Sequence, residues 1–238
     1  MLKNIREKIA GANWQDIAAS MHCNGYAVLS GLLSHAQCDT LKDRYDDTDA
    51  YRKTVVMARH RFGLGEYKYF DYPLPELIRT IRTDLYPYLV PIANTWSHRL
   101  GLDTEYPEVH GEFLRQCREN GQEQATALIL KYGPGGFNTL HQDLYGTVYF
   151  PIQIVLFLNE PGLDYTGGEF VMTQQLPRAQ SKAMVLSPKR GDVLIFTTRF
   201  MPRKGTRGFY RAHMKHGVSE VREGERHTLG IIFHDAVS

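Results

Sequence analysis

The chain has 238 residues, enough to bury one sizeable hydrophobic core, and a single domain is the simplest organisation for it. Hydrophobic residues make up 42% and charged residues 23%, which is typical of a soluble globular protein, and the formal charge of +2 indicates no particular partner. The longest purely apolar stretch, residues 154–158, is too short to span a bilayer, and residues 1–7 contain no apolar segment of signal-peptide length. A cytoplasmic protein without a membrane partner is therefore expected. Cys23, Cys38 and Cys117 are odd in number and far apart, which indicates reduced, mostly buried thiols.

The first hundred residues are predicted to be mostly helical. Asn13 is a suitable N-cap for a short helix that runs through Met21, and residues 25–30 have the composition of a strand. Ser34 is expected to cap a further helix that ends near Asp46.

Residues 76–100 are predicted to form a long helix with one apolar stripe that packs in the core. The stripe comprises Leu77, Ile81, Leu85, Leu89, Ile92, Trp96 and Leu100. Because proline lacks an amide hydrogen, Pro87 and Pro91 are expected to kink or split this helix.

From about Thr126 onward, short runs rich in β-branched and aromatic residues alternate with turns containing glycine, proline or asparagine. The predicted strand runs are 126–132, 148–158, 169–173, 183–187, 193–197, 215–221 and 226–233. Many short strands separated by turns favour a sandwich or jelly roll. No linker separates the two halves, so the expected fold is α+β. A mainly helical support region, 1–110, would buttress a jelly-roll core, 111–238, within one domain.

A candidate metal site begins with His141 and Asp143, which are two residues apart and face the same way on extended backbone. His216 begins another strand-like run 75 positions downstream. Two imidazoles and one carboxylate on one face of iron(II) leave three positions open, enough for a bidentate 2-oxo acid and dioxygen. A structural zinc site would be closed by four ligands rich in cysteine. Taken alone, the first pair is also compatible with a solvated surface pair.

Three other histidines are rival ligands, although each alone is more typical of a structural residue. They are His213, His227 and His234. His213 is three positions from His216, so on a strand the two side chains should point to opposite faces.

Arg226 follows His216 by ten residues, and Thr228 lies on the same face of the same predicted strand. A guanidinium with a neighbouring hydroxyl suits the distal carboxylate of a dicarboxylate co-substrate. The alternative is an ordinary surface pair between arginine and glutamate.

The stretch before His216 contains six cations interleaved with aromatic residues and no acid. The cations are Arg199, Arg203, Lys204, Arg207, Arg211 and Lys215, and the aromatic residues are Phe200, Phe209 and Tyr210. Such a pattern suits single-stranded nucleic acid or another anionic substrate. The alternative is a mobile, solvated loop beside the site.

Further candidates for substrate contact are Arg207, Arg211 and Tyr145, which lies two residues beyond Asp143. Tyrosines at positions 67, 69 and 72 are candidates for a lid over the site, although core packing is the favoured interpretation for them.

The sequence resembles known oxygenase families. Tyr132-x-Pro134-Gly135 followed by Leu140-His141-Gln142-Asp143 looks like the segment that supplies the first two iron ligands in AlkB-like nucleic-acid demethylases. The segments 167–170, 190–196 and 216–226 resemble the prolyl-hydroxylase-type pattern. Residues 65–70, 85–87, 93–96 and 227–235 resemble a bacterial family of predicted oxygenases proposed to act on damaged nucleic acid.

The resemblance implies a double-stranded β-helix enzyme that uses iron(II), 2-oxoglutarate and dioxygen. It assigns iron to His141, Asp143 and His216, and the C5 carboxylate of 2-oxoglutarate to Arg226, with Thr228 and Tyr132 as helpers. The reaction it implies is hydroxylation or oxidative demethylation of a substrate, with release of succinate and carbon dioxide.

Two positions depart from the demethylase pattern, because Ile232 and Leu130 replace an arginine and an asparagine. Three interpretations therefore remain open: a nucleic-acid demethylase, a hydroxylase of a protein or small molecule, and a metal-binding jelly roll without turnover.

Overall fold

The computed structural model describes residues 2–176 and 178–238. The helices are α1 (Leu2–Ala10), α2 (Trp14–Asn24), α3 (His35–Asp43), α4 (Glu76–Arg99) and α5 (His110–Glu119), with short 3-10 helices at Thr48–Ala50 and Met57–His60. The predicted caps are confirmed: the Asn13 side chain accepts from the backbone of α2, and Ser34 forms a capping box with Gln37. These bonds satisfy amide groups that have no partner within the helix. Helix α3 ends at Asp43, earlier than expected.

Helix α4 is continuous through Pro87 and Pro91, so the prediction that they could split it is wrong. Both prolines lie on the exposed side of the helix. The opposite side buries the predicted apolar stripe, including Ile81, Leu85 and Leu89. A proline inside a helix costs roughly 3 kcal/mol, and burial of several large apolar side chains, at about 1.5–3 kcal/mol each, offsets that cost.

Short antiparallel strands form the rest of the fold. They are β1 (Tyr26–Leu29), β2 (Tyr51–Val56), β3 (Gly63–Leu64), β4 (Glu66–Phe70), β5 (Leu128–Tyr132), β6 (Phe137–His141), β7 (Ile152–Phe157), β8 (Tyr165–Gly167), β9 (Phe170–Gln175), β10 (Lys182–Leu186), β11 (Val193–Thr197), β12 (Phe200–Gly205), β13 (Gly208–Val218), β14 (Val221–Gly224) and β15 (Arg226–Ile232).

The strands form two main sheets of a jelly roll. The larger sheet has the order β1-β11-β7-β15-β5-β4-β2, and α4 packs against it at β15. The smaller sheet has the order β10-β9-β13-β6-β3, with β12 paired to the outer part of β13, and β8 pairs with β14. Strands β7 and β11 are buried along their whole length. The α+β jelly-roll prediction is confirmed.

The predicted strand runs all contain strands, but several strands were missed. The region 1–110 contributes the predicted β1 and the missed β2 and β4 to the larger sheet, and the missed β3 to the smaller one, in addition to its helices. The basic stretch 199–215 is not a loop, because most of it forms the hairpin of β12 and β13. That correction places its charged side chains on a fixed surface.

The three cysteines are free; Cys38 and Cys117 are buried, and Cys23 is exposed. Among the described residues, no helix combines the length and apolar character needed to cross a membrane.

Candidate metal centre

His141 and His216 meet across two neighbouring strands of the smaller sheet. His141 ends β6, His216 lies in β13, and their Cα atoms are directly paired in the ladder. Asp143 follows β6 by two residues, so its side chain reaches the same point from the end of the strand. His216 and Phe170 of β9 are stacked with ring centroids 5.7 Å apart, which fixes the orientation of the imidazole.

The side chains of the triad His141, Asp143 and His216 converge. His141 Nε2 lies 3.6 Å from Asp143 Oδ1, and His216 Nε2 lies 3.2 Å from Asp143 Oδ2. One ligand atom from each of the three residues lies within 4.8 Å of the other two. Two imidazole nitrogens and a carboxylate oxygen at this spacing form a suitable donor set for a divalent transition metal.

Neighbouring groups hold the first histidine in a metal-binding state. The carbonyl of Thr139 lies 2.7 Å from His141 Nδ1. Because a carbonyl only accepts, Nδ1 bears a hydrogen, and Nε2 is the ring nitrogen directed towards Asp143. For His216, burial, reinforced by His141, lowers the pKa, which keeps the imidazole neutral and able to bind a cation.

The carboxylate of Asp143 receives two hydrogen bonds from protein. The Tyr145 hydroxyl donates to Oδ1 at 2.8 Å, and Gln153 Nε2 donates to Oδ2 at 3.0 Å. Burial by itself raises the pKa of this carboxyl, but the two imidazoles and the Tyr145 hydroxyl outweigh burial and hold that pKa well below its usual range. Asp143 is therefore an anion that is already oriented for a cation.

Arg226 is the first residue of β15 and is paired with Tyr132 at the end of β5. It is 1% exposed, and its guanidinium lies over the rings of Tyr132 and Phe157 at 5.5 Å and 5.4 Å. Nη1 donates to Thr228 Oγ1 at 3.5 Å, whereas Nε and Nη2 have no partner among the described residues. No acid in 2–176 or 178–238 forms an ion pair with it. A buried guanidinium without an anion is costly, and its free donors fit a carboxylate ligand.

One cavity of about 250 Å³ joins the triad to Arg226, Thr228 and Tyr132. The two positions that depart from the demethylase pattern, Leu130 and Ile232, also line it and make part of its wall apolar. The cavity thus combines a metal-type donor set, an anion site and an apolar wall in one space.

Other predicted residues divide between the cavity and the surface. Tyr145 lines the cavity, with its hydroxyl directed at Asp143. Arg207 is exposed at the turn of the β12–β13 hairpin and Arg211 is exposed on β13, and neither lines the cavity.

The rival histidines lie away from the centre. His213 is exposed while His216 is buried, which confirms that the two face opposite sides of β13. His227 contacts Asn159, and His234 Nδ1 accepts from the backbone of Phe150 at 3.1 Å.

Several cavity residues were missed or misjudged from the sequence. Gln153 bonds Asp143 from within β7, and a lone glutamine in the otherwise apolar run 152–157 was the signal for it. Tyr69 is buried in the core as expected, with Tyr67 packed against the same cluster, and both also line the cavity. Tyr72 is exposed instead and donates to Asp235. Phe62 and Asn138 also line the cavity, and Asn138 donates to the Tyr132 hydroxyl at 3.3 Å.

An antiparallel jelly roll with two histidines and one carboxylate at its mouth defines the class of non-haem oxygenase folds. Residues 65–236 match the Oxygenase-NA family, described as an oxygenase catalysing oxidative methylation of damaged DNA. The chain belongs to this family and is therefore an oxidoreductase.

One protein of related sequence and two structures of related fold were also found. An uncharacterised protein of Mycobacterium tuberculosis strain H37Rv is 44% identical over 190 residues, covering 78% of this chain and 82% of the relative. The crystal structure of an oxidoreductase of the 2OG-Fe(II) oxygenase family from Burkholderia pseudomallei aligns with a TM-score of 0.56 at 17% identity, covering 96% of this chain and 95% of that one. A Pseudomonas putida prolyl-4-hydroxylase aligns with a TM-score of 0.53 at 17% identity, covering 91% and 96%. These structures share the fold.

Proposed function

We propose that the protein is an iron(II)- and 2-oxoglutarate-dependent oxygenase that oxidises a C–H bond of a nucleic-acid substrate. The observation that carries the proposal is the buried, unpaired guanidinium of Arg226 in the same cavity as His141, Asp143 and His216. A metal-binding jelly roll without turnover would not require an anion site beside its metal.

The proposed residue roles follow from the contacts. His141 and His216 hold iron(II) through neutral imidazoles, and Asp143 holds it as a carboxylate fixed by Tyr145 and Gln153. Arg226 and Thr228 bind the C5 carboxylate of 2-oxoglutarate. Tyr132 packs beneath that guanidinium and keeps water from it.

The bound metal and co-substrate supply the oxidising chemistry: 2-oxoglutarate and dioxygen become succinate and carbon dioxide, and one oxygen atom enters the substrate C–H bond. If the oxidised carbon is an N-methyl group, the hydroxymethyl product loses formaldehyde and leaves the free amine. Oxidation at such a carbon removes a methyl group, so damaged bases with N-methyl groups are the substrates to test first.

Nucleic acid is favoured over protein by charge and by the family description, which names damaged DNA. Arg211, His213 and Lys215 lie on the exposed face of β13, and none of them forms an ion pair with a residue in the described ranges. Gln142 donates to the carbonyls of Arg199 and Met214, which ties this basic hairpin to the segment that bears the triad. Such a surface attracts a polyanion to the outer face of the sheet whose inner face bears His216.

The first test is an anaerobic titration of the apo protein with iron(II) and 2-oxoglutarate, followed by visible charge-transfer absorption. A band that requires both ligands is expected, with loss in His216→Ala and weakening in Arg226→Ala. Matched controls are His213→Ala on the opposite face of β13 and Arg222→Ala, an exposed arginine of β14. No band in folded wild type that binds the metal would refute the oxygenase proposal and favour the non-catalytic jelly roll.

The second test measures succinate release with single-stranded oligonucleotides that contain N-methylated or unmodified bases. Stimulation by the methylated strand, with release of formaldehyde, supports the nucleic-acid assignment. Charge-transfer absorption without any stimulation by nucleic acid would leave the oxygenase chemistry intact and move the substrate to a protein or a small molecule.

A further inference from the structure

The segment Arg59–Leu64, here called the rim segment, lies at the mouth of the cavity. Phe62 is 46% exposed and also lines the cavity. The ring is therefore accessible to a ligand that enters the cavity, and covering it would remove apolar surface from water.

Phe62 is one half of a stacked pair. The rings of His60 and Phe62 have centroids 5.3 Å apart and planes 22° from parallel. Leu140 and Leu144 are 43% and 39% exposed, and Leu144 lines the same cavity. The mouth therefore presents a flat aromatic surface with apolar neighbours.

The rim segment is tied directly to the candidate metal centre. The Phe62 carbonyl accepts from the backbone amide of Thr139 at 2.8 Å and from its hydroxyl at 2.9 Å. The carbonyl of the same Thr139 accepts from His141 Nδ1 at 2.7 Å. Thr139 thus links Phe62 to His141, so a molecule that binds on the Phe62 ring is held at a fixed place relative to the candidate metal centre.

The backbone of the rim segment is specialised for this position. Arg61 has a φ of 59°, a left-handed conformation that costs free energy for a non-glycine residue. Gly63 has a φ of 139°, and a Cβ at this position would collide with the carbonyl oxygen of Phe137 in β6. The left-handed conformation of Arg61 turns the chain, and the absence of a side chain at Gly63 lets the backbone lie in contact with β6.

Two cations alternate with the aromatic pair along the chain. Arg59 and Arg61 are exposed, and neither forms an ion pair with any residue among 2–176 and 178–238. Guanidinium groups beside an exposed aromatic surface match a ligand in which flat rings alternate with anions. A single strand of nucleic acid has that composition, because each base offers a π-face and each linkage offers a phosphate.

We infer that the rim segment is the platform on which the target nucleotide binds: its unpaired base stacks on Phe62, backed by His60, and Arg59 and Arg61 contact the flanking phosphates. The inference rests on the proposed function and adds the residues that position its substrate. Phe62 contacts the base directly, whereas Thr139 and Gly63 are positioning residues that hold Phe62 in place.

The test uses fluorescence anisotropy of the full-length protein with two labelled ten-nucleotide strands, oligo-dT and a fully abasic strand of the same length. Wild type is expected to bind oligo-dT more tightly than the abasic strand. Phe62→Ala should weaken oligo-dT binding by roughly 5- to 100-fold and leave abasic binding unchanged, since stacking is lost and the phosphates are not. Phe62→Trp should restore the preference for bases.

The double variant Arg59→Gln, Arg61→Gln should weaken binding of both strands. It should also reduce the slope of log K against log salt by about 1.4, the value for two phosphate contacts on a single strand. The matched control is Leu163→Ala, an exposed apolar residue that does not line the cavity. Equal weakening of both strands by Phe62→Ala would overturn the inference. So would equally tight binding of a neutral peptide that displaces oligo-dT, because the surface would then be a peptide site.

Failure of this inference is distinguishable from failure of the proposed function. Phe62→Ala removes the ring but keeps the backbone carbonyl to which Thr139 donates, so the contact between Thr139 and His141 is preserved and the absorption band with iron(II) and 2-oxoglutarate is expected in this variant. A protein with that band but no preference for bases would refute the platform alone. A protein that prefers bases but lacks the band would refute the oxygenase proposal and leave the platform standing.

Discussion

The phenol of Tyr145 donates a 2.8 Å hydrogen bond to Oδ1 of Asp143, two residues earlier in the chain. Tyr69, from β4 of the larger sheet, donates in turn to the Tyr145 hydroxyl at 3.1 Å. Burial, reinforced by Asp143, raises the pKa of Tyr145 well above its usual value, so the phenol stays a donor. A chain of two phenols therefore connects the N-terminal half of the protein to the carboxylate of the candidate metal centre.

Tyr145→Phe is expected to lower metal affinity about 10- to 100-fold without unfolding the protein, because an unsupported carboxylate loses its orientation. Tyr69→Phe removes only the second link and should have a smaller effect in the same direction. Competition titration of iron(II) against a coloured chelator measures both. Unchanged affinity in Tyr145→Phe would mean that Gln153 alone orients Asp143.

Replacement of Arg226 should separate stability from ligand binding. Arg226→Met removes an unpaired buried charge, so the free energy of unfolding of the ligand-free protein is expected to rise by about 1–3 kcal/mol. Wild type should gain about 2.7 kcal/mol from 2-oxoglutarate at a hundred times its Kd, and the variant should gain almost nothing. Chemical denaturation with and without 2-oxoglutarate is the measurement, and Arg222→Met is the control. A ligand-free variant less stable than wild type would indicate that Arg226 already has a structural partner.

Apart from His216 and Tyr132, the cavity residues that could be predicted from sequence are those whose geometry is local. His141 with Asp143, and Arg226 with Thr228, are pairs two residues apart, so the period of a strand placed each pair on one face. The helix caps Asn13 and Ser34 are local in the same sense.

Residues that reach the cavity from distant strands could not be placed in this way. Tyr67 and Tyr69 belong to β4, whose burial pattern does not alternate, and their position depends on the pairing of β4 with β5. The β12–β13 hairpin was missed for a different reason. Exposed Arg211 and Lys215 alternate with buried Ala212 and Met214, as expected for a strand. The period of a strand was present there, but the concentration of cations made a solvated loop an equally reasonable interpretation.

Buried histidines predict acid sensitivity. Burial, reinforced by Arg82, lowers the pKa of His110 to about 3, and burial lowers that of His227 to about 4. The unfolded chain takes up these protons near pH 6.5, whereas the native protein does not until the pH is far lower. The stability contributed by neutral histidines is therefore complete above pH 6.5 and is lost as the pH falls towards 3, by about 1.4 kcal/mol per pH unit for each histidine.

His110→Gln should reduce the dependence of unfolding free energy on pH by the equivalent of about one proton relative to wild type. Urea denaturation at a series of pH values between 4 and 7 measures the slope. Glutamine retains an N–H that can donate to the Phe233 carbonyl, which His110 Nε2 contacts at 2.8 Å. Equal slopes in wild type and His110→Gln would show that His110 is protonated in the native state.

Gly63→Ala tests whether the backbone of the rim segment is required for substrate binding. A methyl group there meets the Phe137 carbonyl and the Asn138 backbone, and the φ of 139° is unfavourable for alanine. The segment must therefore move away from β6 and take Phe62 with it.

Gly101→Ala is the matched control, since Gly101 also has a positive φ, 61°, but a Cβ there has nothing within 4 Å, so its cost should be limited to about 1 kcal/mol. We expect Gly63→Ala to lose the preference for base-bearing strands as Phe62→Ala does. If Gly63→Ala binds oligo-dT as tightly as Gly101→Ala, the contact between the rim segment and β6 does not position the base.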